Sequence, residues 1–111
     1  MSFDDVLLVP KFSVLRSRKE ADLWTEFMEG CNLEIPIISS PMDTVTGAEM
    51  MHAMDKNGGM GVVHRYNAIE EQAAIVTELS EAGISPIAAA IGATGDFLER
   101  ARVLVKRGAG V

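Results

Sequence analysis

Three glycines, Gly58, Gly83 and Gly108, stand 25 residues apart, and each closes a stretch whose apolar residues recur at helical spacing. Glycine reaches positive φ without the Cβ clash that other residues suffer, so it commonly ends a helix. Ahead of Gly58 lie Met50 and Met54; ahead of Gly83, Ile69, Ala73, Val76 and Leu79; ahead of Gly108, Phe97 or Leu98 with Ala101, Leu104 and Val105. The starts are marked as well. Thr46 with Glu49, Asn67 with Glu70 and Asp96 with Glu99 each place a capping side chain three residues before an acid, which is the spacing of a capping box. Lys56, and Lys106 with Arg107, fall in last turns, where the helix dipole favours a cation. Three amphipathic helices are predicted, starting at Thr46, Asn67 and Asp96.

Short apolar runs alternate with these helices: Ile35 to Ser40, Met60 to His64, Ile87 to Ile91, and a fourth that opens at Gly110 and Val111. Strands apolar on both faces and separated by helices belong to a parallel sheet covered by helices. Two architectures accept such a series, an open doubly wound sheet and a closed eight-stranded barrel. Gly58, Gly59 and Gly61 precede a strand instead of following one, so GGMG reads as a helix-to-strand turn and not as a dinucleotide loop. The short unit suits a barrel of about 250 residues. The predicted fold is α/β: residues 35–111 form the first three βα units of a TIM (β/α)8 barrel. Residues 1–34 stand outside the repeat. There, Val6 to Val9 and Leu23 to Phe27 are predicted short strands, joined by the charged stretch Arg16 to Asp22, that make a β cover for one end of the barrel.

A net charge of -6 argues against a sequence-independent grip on nucleic acid, which depends on Lys and Arg neutralising phosphates. The apolar runs fall far short of the roughly 20 residues that span a bilayer, and no signal peptide is visible. A cytoplasmic protein without a membrane partner is expected. One cysteine, Cys31, offers neither a disulfide framework nor a thiolate metal site, and His52 and His64 are too far apart to suggest zinc. No metal is predicted. A small anionic ligand remains compatible, since loop amides and helix N-termini bind phosphate without a basic surface.

In a parallel barrel the working residues gather where strands lead into helices. The stretches in that position are Ser39-Ser40-Pro41-Met42-Asp43-Thr44, His64-Arg65-Tyr66-Asn67 and Gly92-Ala93-Thr94-Gly95-Asp96. They bring hydroxyl, charged and backbone donors to one rim, and Met42 adds a polarizable surface suited to a flat heteroaromatic base. Simpler roles compete. Thr44, Thr46, Asn67, Thr94 and Asp96 read first as caps and turn formers. Met50, Met51 and Met54 read as core, and Cys31 as a small packed side chain. His64 reads as a packed histidine, because no partner carboxylate can be named for a base. Arg16, Arg18 and Lys19 read as a solvated loop.

These stretches also carry a family resemblance. FDDVLLVP at Phe3 to Pro10, IPIISSPMDTVT at Ile35 to Thr46, GGMGVVHR at Gly58 to Arg65 and IEEQ at Ile69 to Gln72 resemble the opening blocks of inosine monophosphate dehydrogenases. GATGDFLERARVLVKRGAGV, at the end, is similar to that family's third barrel unit leading into its fourth strand. The most specific block is SSPMDTVT preceded by FDDVLL. The resemblance implies an eight-stranded barrel, commonly tetrameric, that oxidises inosine monophosphate (IMP) to xanthosine monophosphate with NAD. In the family that the chain resembles, a loop cysteine attacks C2 of the purine, hydride passes to NAD, and water hydrolyses the covalent intermediate. By position, Ser40 and Met42 match residues that touch the nucleotide, with Met42 against the base. Thr94, with Arg65 as a second candidate and Ser17 as a third, falls near the adenosine end of the cofactor.

Three departures qualify the match. Cys31 lies upstream of the first barrel strand and cannot stand in for the family's nucleophile, so no catalytic residue is assigned and the chain alone is expected to be inactive. Its partners are then a purine mononucleotide, the remainder of the barrel in cis or in trans, and further copies in a homo-oligomer. Dehydrogenases of this family usually carry a pair of regulatory modules between the second helix and the third strand, whereas Ala82-Gly83-Ile84-Ser85-Pro86 joins them directly. That junction and the HRY tripeptide also suit the reductase branch, which uses NADPH to convert guanosine monophosphate (GMP) to IMP. SSPMDTVT favours the dehydrogenase. Two further readings stand beside the enzyme: a non-catalytic, self-associating partial barrel, and an unrelated phosphate-binding barrel.

Overall fold

A computed structural model describes residues 3–111. Among the described residues the chain is a mixed α/β partial domain with three α-helices and two sheets. Two short 3-10 turns, Phe3–Asp5 and Arg18–Glu20, precede a hairpin of β1 (Thr25–Met28) and β2 (Cys31–Leu33). After it come β3 (Ile38–Ser39), α1 (Ala48–Lys56), β4 (Met60–Val63), α2 (Ile69–Glu81), β5 (Ala88–Ala89) and α3 (Phe97–Arg107). Among the described residues no helix is long and apolar enough to cross a membrane.

The second sheet is parallel and its strands lie side by side in chain order, β3-β4-β5. Ile38 stands opposite Met60 and Ser39 opposite Gly61; Val62 stands opposite Ala88 and Val63 opposite Ala89. A fourth strand begins beyond β5, where Ile87 bridges Ala109 in parallel and Ala89 donates its N–H to the Val111 carbonyl at 3.0 Å. Because successive strand residues point to opposite faces, β4 divides its side chains. Val63, with Ile87, packs under the helices against Met51, Ala73, Val76, Leu79, Ile84 and Leu104. Met60, with Ala88 and part of Val62, packs against Cys31 and Leu33 of the hairpin.

All three helices end where the glycine spacing predicts, with φ of 75° at Gly58, 83° at Gly83 and 114° at Gly108. Two of the three starts differ from expectation. The residue that caps α1 is Gly47, not Thr46, and the one that caps α2 is Ala68, not Asn67. Glu71, not Glu70, reaches back to accept the Ala68 N–H at 3.0 Å. Asp96 does cap α3, but its carboxylate makes no cap hydrogen bond and holds Arg100 instead. The Thr46 hydroxyl goes to the Ser40 carbonyl and the Asp96 carboxylate to Arg100, so neither is left for the amides of its helix.

Other expectations also need correction. Val6 to Val9 forms no strand: that stretch is exposed, with Leu8 98% accessible. A strand without a neighbour leaves its ladder groups unpaired and does not persist on propensity alone. The strand placed at Leu23 to Phe27 is displaced to Thr25–Met28. Its partner β2 follows a two-residue turn in which Gly30 has φ of 78°. On α1 the buried methionine is Met51, while Met50 and Met54 are only half-buried. On α3, Leu98 and Val105 face outward and Arg100 is buried with Leu104.

Candidate functional site at the strand ends

Parallel strands in chain order bring the residues after β3, β4 and β5 to the same edge of the sheet. Backbone bonds join the three loops there. His64 N–H donates to the Thr46 carbonyl at 3.3 Å, and Ala90 N–H donates to the Val63 carbonyl at 2.9 Å.

The first loop is a compact turn. Met42 N–H donates to the Ser40 carbonyl at 2.8 Å, and the Val45 and Thr46 N–H groups donate to the Met42 carbonyl at 3.0 and 2.9 Å. The Thr46 hydroxyl also donates to the Ser40 carbonyl, at 2.6 Å. Ser40 is exposed, and Met42 leaves 49% of its surface accessible. An exposed thioether beside an exposed hydroxyl offers one apolar and one polar contact within three residues.

In the second loop, His64 Nδ1 accepts the Tyr66 N–H at 3.3 Å. The Arg65 guanidinium lies 5.3 Å from the Tyr66 ring centroid, within cation–π range. Arg65 also lies against the third loop, since a Cβ added at Gly92 would fall 3.5 Å from its Nη1. Thr94 is exposed in that third loop, beside Gly95 with φ of 71°. The four residues singled out in the sequence therefore fall into two groups: Ser40 with Met42 after β3, and Arg65 with the Thr94 loop after β4 and β5.

Behind the rim lies a polar network that the sequence reading did not anticipate. Gln72 of α2, fully buried, donates from Nε2 to the Ala90 carbonyl at 2.9 Å and, more weakly, to the Val63 carbonyl at 3.5 Å. Its Oε1 accepts Arg100 Nη1 at 2.8 Å. Arg100, 7% exposed, also donates from Nη2 to the Asn67 carbonyl at 3.1 Å and to Asp96 Oδ2 at 2.9 Å. One amide and one guanidinium thus tie the ends of β4 and β5 to the first turns of α2 and α3. A signal was present: Arg100 stands four residues after Asp96 and four before Leu104, so it is in phase with the buried stripe of its helix. Asn67 adds a buried side-chain oxygen with no hydrogen-bond partner among the described residues.

Cys31 lies away from the rim, buried in the hairpin against Leu33, Met60 and Ala88. Among the described residues no group of three or more His, Cys, Asp or Glu could hold a metal ion.

Comparison with known proteins decides the family, because a model described as the IMP dehydrogenase / GMP reductase domain matches residues 1–111. The chain belongs to the IMP dehydrogenase / GMP reductase family. An inosine-5'-monophosphate dehydrogenase of Nitrosopumilus maritimus is 45% identical over 83 residues, 75% of this chain and 17% of that relative. A GMP reductase of Leishmania donovani is 42% identical over 82 residues, 74% of this chain and 17% of that relative. An inosine-5'-monophosphate dehydrogenase of Rhodopirellula baltica is 35% identical over 111 residues, 93% of this chain and 20% of that relative. The chain thus spans about a fifth of the length of these relatives. The family is one of oxidoreductases of purine nucleotides, and the resemblance carried by FDDVLLVP and SSPMDTVT is to this family.

Proposed function

We propose that the chain is the opening part of a barrel that oxidises IMP with NAD, and that it supplies one wall of the nucleotide site. The observation that carries the reading is the Ser40–Pro41–Met42 turn, exposed at the edge where three consecutive parallel strands end. Strands laid side by side in chain order suit a closing TIM barrel, whereas a doubly wound sheet reverses its order at a switch point.

In this reading Met42 lies against the purine ring and the Ser40 hydroxyl bonds the ribose phosphate portion. Arg65 and Thr94 meet the cofactor farther along the rim. The exposed guanidinium of Arg65, held over Tyr66 and against Gly92, fits the polar, negatively charged body of a dinucleotide. Arg65 and Thr94 would help to hold NAD, which would supply the hydride acceptor for oxidation of the purine. The nucleophilic cysteine comes from the rest of the barrel, since Cys31 is buried on the hairpin. The assembled enzyme is a cytoplasmic homo-oligomer.

The test is steady-state kinetics of the full-length enzyme bearing this segment. Losing the Met42 contact removes about 1–2 kcal/mol of apolar burial. Met42→Ala is therefore expected to raise KM for IMP about tenfold, with kcat within about twofold. An unchanged KM would remove Met42 from the nucleotide site. The reductase reading keeps a specific foothold, because α2 passes to β5 through only a short link and GMP reductases stand among the relatives. NADPH oxidation with GMP, without NAD reduction with IMP, would decide for it.

A further inference from the structure

We propose that Thr46 is a positioning residue whose buried hydroxyl pins the Ser40 carbonyl and thereby aims the Ser40–Met42 turn. The inference rests on the reading that this turn faces the nucleotide. Thr46 is 0% exposed, and its hydroxyl has one proton to give. That proton goes to the Ser40 carbonyl, 2.6 Å away. The contact between Ser39 Oγ and Thr46 Oγ1, at 2.8 Å, must then have Ser39 as donor. The hydrogen bonds run one way, from Ser39 through Thr46 to the carbonyl that precedes Pro41.

The Ser40 carbonyl also accepts the Met42 N–H at 2.8 Å. Two donors occupy both lone pairs of one oxygen, so the peptide plane entering Pro41 has a single satisfied orientation. Proline removes most of the remaining freedom, because its ring holds φ near -65°. Where Met42 points therefore follows from where the Ser40 carbonyl points. Thr46 closes the turn from the far side too: its N–H donates to the Met42 carbonyl at 2.9 Å, and its own carbonyl accepts His64 N–H at 3.3 Å.

A helix cap is the ordinary role for a threonine at this place, and the structure does not assign it. α1 is capped by Gly47 without any side-chain hydrogen bond, so the Thr46 hydroxyl serves only the turn. Gly61 on the neighbouring strand makes room first for Met51, whose Sδ a Cβ there would strike, and then for the relay, since that Cβ would fall 3.2 Å from Ser39 Oγ and 3.3 Å from Thr46 Cγ2.

The experiment compares Thr46→Val, which keeps the shape and removes the hydroxyl, with Thr46→Ser, which keeps the hydroxyl, in the full-length enzyme. Thr46→Val is expected to raise KM for the purine nucleotide about tenfold while KM for the dinucleotide stays within about twofold. Thr46→Ser should restore the nucleotide KM to within about threefold of the parent. Equal rises in both KM values, or no rescue by serine, would overturn the proposal and leave a merely structural threonine. Should the valine variant fail to fold, Ser39→Ala decides, because it removes only the outer donor: a two- to threefold rise, on the order expected for loss of a weaker link, supports the relay, and an unchanged KM overturns it. Met42→Ala separates the layers. If it raises the nucleotide KM while Thr46→Val does not, the positioning role alone is wrong; if neither changes it, the nucleotide reading of the turn falls and the proposal with it.

Discussion

Arg100 is a cation placed in the stripe of α3 that packs inward, and its partners explain why it tolerates burial. Gln72 Oε1, the Asn67 carbonyl and Asp96 Oδ2 each accept one of its N–H groups, at 2.8, 3.1 and 2.9 Å. Two of the three are neutral, and the carboxylate is half-exposed, with 49% of the Asp96 side chain accessible. Solvent therefore screens the ion pair, and the neutral contacts carry the larger share. Arg100→Met leaves a buried amide oxygen and a part-buried carbonyl without this donor and is expected to lower stability by about 2–4 kcal/mol. Asp96→Asn is expected to cost about 1 kcal/mol or less. Urea denaturation of the two variants checks the order, and a larger loss from Asp96→Asn would show that the carboxylate dominates. Nothing in the amino-acid order named Gln72 as the partner of Arg100, because their chain separation of 28 residues is closed only by packing α2 against α3.

At the scale of elements, the helix ends and the start of α3 were legible, whereas α1 and α2 start one residue later than their capping patterns predict. A glycine at a helix end acts through its own φ, a property of one residue. Gly83 and Gly108 share a positive φ, yet their surroundings differ. A Cβ at Gly83 meets nothing within 4 Å, whereas one at Gly108 would fall 2.9 Å from Ser80 Oγ. Gly83→Ala is expected to cost about 1–2 kcal/mol from backbone strain alone, and Gly108→Ala about 2–3 kcal/mol because Ser80 must also move. Thermal unfolding compares them, and equal losses would mean that the Ser80 side chain swings away freely. A cap, by contrast, is a competition among partners. Thr46 gave its hydroxyl to Ser40 and Asp96 gave its carboxylate to Arg100, both outside the spacing that a capping box describes. The candidate site shares this division: its loops follow from the strand and helix pattern, while the relay behind Met42 and the network behind Arg65 and Thr94 do not.

The whole molecule leaves large apolar surfaces open. Leu7, Leu8, Val9 and Phe12 lie exposed along the first stretch. Beyond β5, an apolar groove is lined by Ala89, Ile91, Leu104, Val105 and Val111, beside the backbone of residues 109–111. Unpaired strand edges next to apolar side chains are templates for association. Purified by itself, the 111-residue polypeptide is expected to elute larger than a monomer and to show no NAD reduction with IMP. Light scattering from a compact monomer would contradict the first expectation, and turnover without any partner the second.

Periodicity, turn glycines and strand-end composition are properties of neighbours a few residues apart. From them alone the chain's order determined an alternating α/β unit and the positions of the helix ends; the family came from the resemblance of the opening blocks, not from these patterns. The tertiary structure decided which residue of each stripe turns inward, that Val6 to Val9 stays unpaired, and that the Thr46 hydroxyl serves a turn instead of a helix. Those outcomes depend on contacts between segments as far apart as Asn67 and Arg100, 33 residues along the chain, and the energy of a hydrogen bond cannot be assigned until both of its partners have a place.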